Sequence, residues 1–296
     1  MNIRLTLPVR VVLPVAVLLT LVVERAQSQP QPITVPRIDQ MPDSPSPYLM
    51  RNWKFVAASF DSIAFAVSRS GTYLPLIQLY SNTVNYPGQL SFAIQSYVGS
   101  PPFPLSGGEA VTCLPALVGA KLVGIDKSNQ AGTNWVLMAQ EWFNGKNGEN
   151  VYLNSPSSAT GDDWWYETMP NVFAFQIASL YPSTGDFRAR IPVVAGMWRA
   201  AVTAMGGSTK PWSLANVNHR AFNLLTMKPT ENTDYPEPEA AGAIAWILYM
   251  AYVTTGNQDF RAGAELSLES LIVYPKNTSY ELQLPYGTFI AARMNA

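Results

Sequence analysis

A mainly α fold built from helical hairpins is predicted by three observations on this chain of 296 residues. Hydrophobic residues make up 48 % and charged residues only 13 %, the balance of a chain that fills a large core. Apolar residues recur at helical spacing through long stretches from Trp53 onward. Two units share one form: an apolar helix, a short turn (Tyr181-Pro-Ser-Thr-Gly-Asp-Phe187 or Val253-Thr-Thr-Gly-Asn-Gln-Asp-Phe260), and at once a more polar helix.

Met1 to Ser28 carries Arg4 and Arg10, an apolar run from Val11 to Val23, and Ala26-Gln27-Ser28, the order of a secretory signal cut after Ser28. Residues 29–50 are rich in Pro, Gln and Ser and read as a linker, so 51–296 is expected to form one helical domain. Residues 53–67 are apolar around most of a helical wheel, and Asp61 inside them must be paired or face a polar cavity. Residues 71–104 are aromatic and broken by Pro and Gly, a small β/loop insertion, and 146–160 reads as a second one. Further helices are expected from about Glu109 to Val123, from Trp135 to Phe143, from Trp164 to Tyr181 with a break at Pro170, and from Phe187 to Met205. Pro211 to Pro236 reads as a long loop. Glu237 to Tyr252, Phe260 to Val273 and Tyr286 to Met294 complete a set of about eight helices.

Removing the signal deletes three arginines and one glutamate, so the formal charge moves from −1 to −3, 16 basic against 19 acidic residues. No basic face is offered to nucleic acid, and after signal cleavage nothing is offered to a membrane. Cys113 is the single cysteine and His219 the single histidine, which leaves no His/Cys metal site and no Ser-His-Asp hydrolase. No glycine loop is present to cradle the phosphate of a cofactor. Cofactors and metals are therefore not expected.

The densest chemistry lies in Gly161-Asp162-Asp163-Trp164-Trp165-Tyr166-Glu167-Thr168-Met169-Pro170, three acids and three aromatics in ten residues. Flat aromatic faces stack on sugar rings, while carboxylates hold hydroxyls and move protons. Asp162 and Asp163 are equally suited to capping the helix that follows, and three adjacent aromatics cannot all face one side of it. Glu109, at another helix start, has the same double reading.

The hairpin pattern, with Glu237-Pro-Glu-Ala-Ala-Gly-Ala-Ile-Ala245 as an acid followed by small residues, resembles the (α/α)6-toroid glycoside hydrolases and related polysaccharide lyases. The resemblance covers the style of Trp53 to Ala296. Twelve helices would close such a ring, so the toroid is expected to be incomplete, the chain ending within it at Arg293-Met-Asn-Ala296. It implies a secreted or periplasmic protein acting on an oligo- or polysaccharide, most simply an inverting hydrolase with one proton-donating and one water-activating carboxylate, roughly 6.5–9.5 Å apart. The catalytic candidates are Glu239 as donor, Asp163 or Glu167 as base, and Glu237. Asp162, Trp164, Trp165, Tyr166, Glu109 and Asp61 are the candidates for substrate contact. A lyase on the same scaffold and a glycan-binding protein without catalysis are the alternatives.

Overall fold

The structure is a computed structural model that describes residues 52–95, 108–231, 235–274 and 281–296. The expected signal and linker lie outside them. Helix α1 (Trp53–Ala64) starts where Asn52 Oδ1 accepts the Phe55 N–H at 3.0 Å. Strands β1 (Ile77–Tyr80) and β2 (Ser91–Ile94) pair antiparallel with Ile77 opposite Ile94, so the expected insertion holds one hairpin in its described part. α2 (Ala110–Leu122) follows, with Cys113 fully buried. The run from Trp135 is shorter than its pattern suggests: α3 (Trp135–Met138) tightens at once into the 3-10 turn Ala139–Trp142.

Helices α4 (Trp164–Leu180) and α5 (Phe187–Ala204) form one hairpin, and α6 (Ala240–Thr255) and α7 (Gln258–Ser270) another. Gly185 (φ +63°) and Gly256 (φ +74°) both adopt the left-handed conformation that reverses the chain, which is why each turn carries Thr-Gly. Helix α8 (Gln283–Met294) closes the sequence. α2 packs on α4, α4 on α6 and α6 on α8 as a front row. Behind them α5 packs on α4 and α6, and α7 on α5 and α6.

Helix α6 sits at the middle of this arrangement because its sequence allows nothing else. Ala240 to Leu248 carries no charge, and every one of those residues is buried. Small residues let the backbones close up. A Cβ on Gly242 would lie 2.3 Å from the Gln283 carbonyl oxygen, and one on Gly287 would lie 2.7 Å from Gly242 Cα. At the other end of the row, Phe65, Phe92 and Trp135 lock α1, β2 and α3 together through ring contacts at 5.1–6.1 Å.

Two expectations need correction. Pro170 does not break α4, which runs through it. The hydrogen bond lost with the proline N–H is offset by its neighbour: Asn171 Nδ2 donates to the Glu167 carbonyl at 2.7 Å and the Tyr152 carbonyl at 3.0 Å, and Asn171 Oδ1 accepts the Tyr152 N–H at 2.8 Å. The described part of the segment read as loop, from Pro211 onward, takes part in two small hairpins, β3 (Ser208–Thr209) with β4 (Trp212–Ser213) and β5 (Ala221–Asn223) with β6 (Lys228–Thr230). Strands of two or three residues are too short to show a period in the sequence.

Gly242→Ala is expected to lower unfolding free energy by about 2 kcal/mol or more, since backbone and not a movable side chain stands in the way. Gly196→Ala, in α5 with open space around it, is expected to raise stability by roughly 0.5–1 kcal/mol. Denaturant melts of the two variants in parallel check the opposed signs.

Candidate functional site

Four carboxylates flank the starts of front-row helices. Glu109 is the residue before α2, and its Oε1 accepts Asn154 Nδ2 at 2.9 Å. Asn154 does the capping that Glu109 does not: its carbonyl accepts the Ala110 N–H at 3.1 Å and its Oδ1 the Val111 N–H at 3.2 Å. Asp163 caps α4 directly, Oδ1 accepting the Trp165 N–H at 2.8 Å. Glu239 immediately precedes α6, and Glu281 lies two residues before α8.

The charges of these groups reach one another. Burial first, and then the carboxylates of Glu109, Asp163, Glu281 and Asp162, raise the Tyr166 phenol above its ordinary value. Burial first, and then Asp163, push the Glu237 carboxyl up to about 7; Arg220 pulls it down, while Glu281 and Glu239 add to the rise. Arg220 joins two of the acids through one guanidinium, Nη2 to Asp163 Oδ2 and Nη1 to Glu237 Oε1. Glu237 is 5 % exposed, and its second oxygen, Oε2, is buried without a hydrogen-bond partner among the described residues. Although six carboxylates gather, no three or more of the described His, Cys, Asp and Glu residues are arranged to hold a metal ion.

Arg220 reaches this position because Glu167 fixes the hairpin that carries it. The Glu167 carboxylate is 2 % exposed and takes three backbone N–H groups: Gly161, Asp162 at 2.9 Å and Phe222 at 3.0 Å. Burial pushes it up to about 8 against the pull of those three donors. Around it, Thr230 Oγ1 donates to the Gly161 carbonyl at 2.8 Å, and the Leu224 N–H donates to Thr160 Oγ1 at 2.7 Å. The His219 carbonyl accepts both Trp164 Nε1 at 2.8 Å and the Glu237 N–H at 3.0 Å. Loop 160–163, hairpin β5–β6 and the entry to α6 are thus one bonded unit.

The structure brings Glu109, Asp162, Asp163, Tyr166, Glu237 and Glu239 together. Three expected site residues stand elsewhere. Trp164 is fully buried against Trp198 and Phe222, with its N–H engaged, so it is core and not a sugar platform. Glu167 has both oxygens engaged by backbone, which makes it a support and not a base. Asp61 pairs with buried Lys127 and accepts Gln130 Nε2 at 2.8 Å; burial pushes Lys127 down to about 8, and its Nζ lies 3.0 Å from the Phe65 ring centre. Of the three adjacent aromatics, Trp165 is half-buried and Tyr166 is 37 % exposed.

Arg220 and Glu281 were not among the sequence candidates. Glu281 carries the signal that singled out Glu109 and Glu239, an acid just ahead of an apolar helix. Arg220 had a weaker one, a lone cation in a segment flanked by acids. Two apolar cavities lie apart from this group of acids: one of about 420 Å³ between α1 and α2, with Asp61 in its wall, and one of about 520 Å³ among Trp246, Tyr286 and Phe289. Comparison with protein-family models, curated proteins and solved structures found no match.

Glu167→Gln turns an acceptor into a donor against the Phe222 or the Gly161 and Asp162 N–H groups. A loss of about 2–3 kcal/mol in denaturant unfolding is expected. Glu167 and Glu237 are both raised from an ordinary 4.5, to about 8 and about 7. Their contribution to stability is therefore full below about 4.5 and is lost as pH rises through 7 to 8. Thermal unfolding should show a melting temperature that falls between about pH 5 and pH 8, with a shallower fall in Glu237→Gln.

Proposed function

We propose that this chain is an exported carbohydrate-active enzyme, a glycoside hydrolase built on part of an (α/α) toroid. The proton donor is Glu237, with Asp163 as the charged partner that activates water. The observation that carries the reading is Glu237 itself: a buried carboxyl raised to about 7, one oxygen held by Arg220 and the other buried without a hydrogen-bond partner among the described residues, with further carboxylates acting on it. A proton donor works best when its pKa lies near the operating pH, and a glycosidic oxygen is protonated by such a group while a second carboxylate serves water. Arg220 holds donor and partner in fixed relation across the site. Tyr166 beside them, and Trp165 next to it, provide aromatic surface for a sugar ring.

The front row α2, α4, α6, α8 with α5 and α7 behind it is the layering that a toroid of hairpins requires, and acids at front-row helix starts fit the resemblance. Glu237 replaces Glu239 as donor because Arg220 and Asp163 give it a defined partner. A lyase would need a cation left to bind a uronate, whereas both arms of Arg220 already hold carboxylates, and His219 Nδ1 pairs with Glu231 at 3.1 Å.

Incubation with a panel of neutral, amino and acidic oligosaccharides, followed by reducing-end release and anomer detection, tests the reading. The chain is expected to release product with inversion from at least one of them. Glu237→Gln should slow release about 10²–10⁴-fold with an unchanged circular dichroism spectrum. Full activity in Glu237→Gln would overturn the assignment, and no release from any glycan would overturn the hydrolase.

A further inference from the structure

The cavity of about 420 Å³ between α1 and α2 is walled by residues that elsewhere in this fold let helices close up. Ala57 and Ala64 line it from α1, and Ala116, Gly119 and Ala120 line it from α2. Small residues on facing helices bring backbones together, as Gly242 and Gly287 do between α6 and α8. Here the α1 side is tied down by other partners. The Phe65 and Trp135 rings meet edge to face with centres 5.1 Å apart, and Asp61 is held by Lys127 and Gln130. The gap between the two helices therefore stays open.

Gly119 is the second observation that points to a ligand. Glycine inside a helix is destabilising relative to alanine, and a helix keeps one where conformation or close contact requires it. Neither reason applies to Gly119: its φ is not left-handed, unlike that of Gly256, and a Cβ built on it meets nothing within 4 Å, unlike one on Gly242. A side chain at this position of the wall would take up space in the cavity.

The α2 wall runs from Thr112 to Val123, roughly 16 Å at the rise of 1.5 Å per helical residue. A volume of about 420 Å³ drawn out along that wall suits one extended chain, and it lies toward the lower end of the roughly 300–1,000 Å³ of ligand pockets. Phe60 lines the cavity while 58 % exposed, which puts an apolar ring at its mouth. Among the described wall residues only Asp61 is charged, and Lys127 already neutralises it.

We propose that this slot binds an uncharged single-chain lipid, one alkyl chain laid along α2 beneath a neutral head such as an alcohol. A carboxylate head would bring a second negative charge toward Asp61, and an ammonium head would compete with Lys127 for it. Either charge would give up hydration in an apolar slot without a partner to replace it. The slot lies apart from the acids at the helix starts, so lipid binding and glycan cleavage can each fail without the other.

Displacement of N-phenylnaphthylamine from the full chain, followed by its fluorescence at about pH 7, compares dodecanol, dodecanoate and dodecylamine, three heads on one chain length. Dodecanol should displace the reporter at a concentration about tenfold or more below that of either charged analogue. Gly119→Leu and Ala116→Leu, which fill the slot, should each weaken dodecanol about tenfold or more with an unchanged circular dichroism spectrum. Gly196→Leu, in α5 with open space around it and outside the slot, should leave binding unchanged. Dodecanol should also raise the melting temperature of the unsubstituted chain and not that of Gly119→Leu. Equal displacement by the three heads, no displacement by dodecanol, or a folded Gly119→Leu that binds dodecanol as before would each overturn the proposal. Self-association of the chain that Gly119→Leu abolishes, without dodecanol binding, would assign the cleft to a second copy and overturn it as well.

Discussion

The Glu167 carboxylate is the interaction on which the rest of the site depends. Its two oxygens gather backbone N–H groups from loop 161–162 and from β5, elements sixty residues apart in sequence, and so decide where Arg220 stands. The same device recurs. Glu141, fully buried, takes the N–H groups of Val84, Asn85 and Tyr86, and Glu149 holds Thr160 through its N–H and hydroxyl. Each buried carboxylate serves as a small polar core for a loop with too few apolar residues to make one. Burying it costs heavily alone, and the two or three donors aimed at it offset that cost.

The acids of this chain therefore divide into two populations. Glu141 and Glu167 are taken up by backbone donors, Glu149 by one backbone N–H and a hydroxyl, and all three hold loops. Asp163 and Glu237 share a single guanidinium, and burial, followed by the surrounding carboxylates, raises Glu237. Helix starts are what make such crowding tolerable, because orphan N–H groups and the helix dipole favour negative charge there. A front row of four helices then provides the chemistry with its scaffold: the same packing that buries Ala240 to Leu248 places Glu237 and Glu239 beside the entry to α4.

Much of the helical frame was legible in the sequence because long apolar periods and Thr-Gly turns are local signals, as the hairpin α6–α7 illustrates. Asp163 and Glu237 were legible as acids ahead of helices, and Glu281 carried the same signal unnoticed. What was not legible is what depends on partners distant in sequence. Glu167 reads as a catalytic acid until Phe222 is placed against it, and Trp164 reads as a sugar platform until Trp198 and Phe222 cover it. Pro170 reads as a break in the helix until Asn171 is seen bridging to Tyr152. Arg220, just ahead of a strand of three residues, had no pattern to announce it.

The account stands on one buried carboxyl poised near neutrality. Carbon NMR titration of the chain with side-chain carboxyls of glutamate labelled, and Glu237 assigned through Glu237→Gln, measures that property directly. A midpoint near 7 for Glu237, moving upward in Arg220→Gln as the guanidinium is removed, is the predicted result. A midpoint at the ordinary 4.5, unmoved by loss of Arg220, would contradict it.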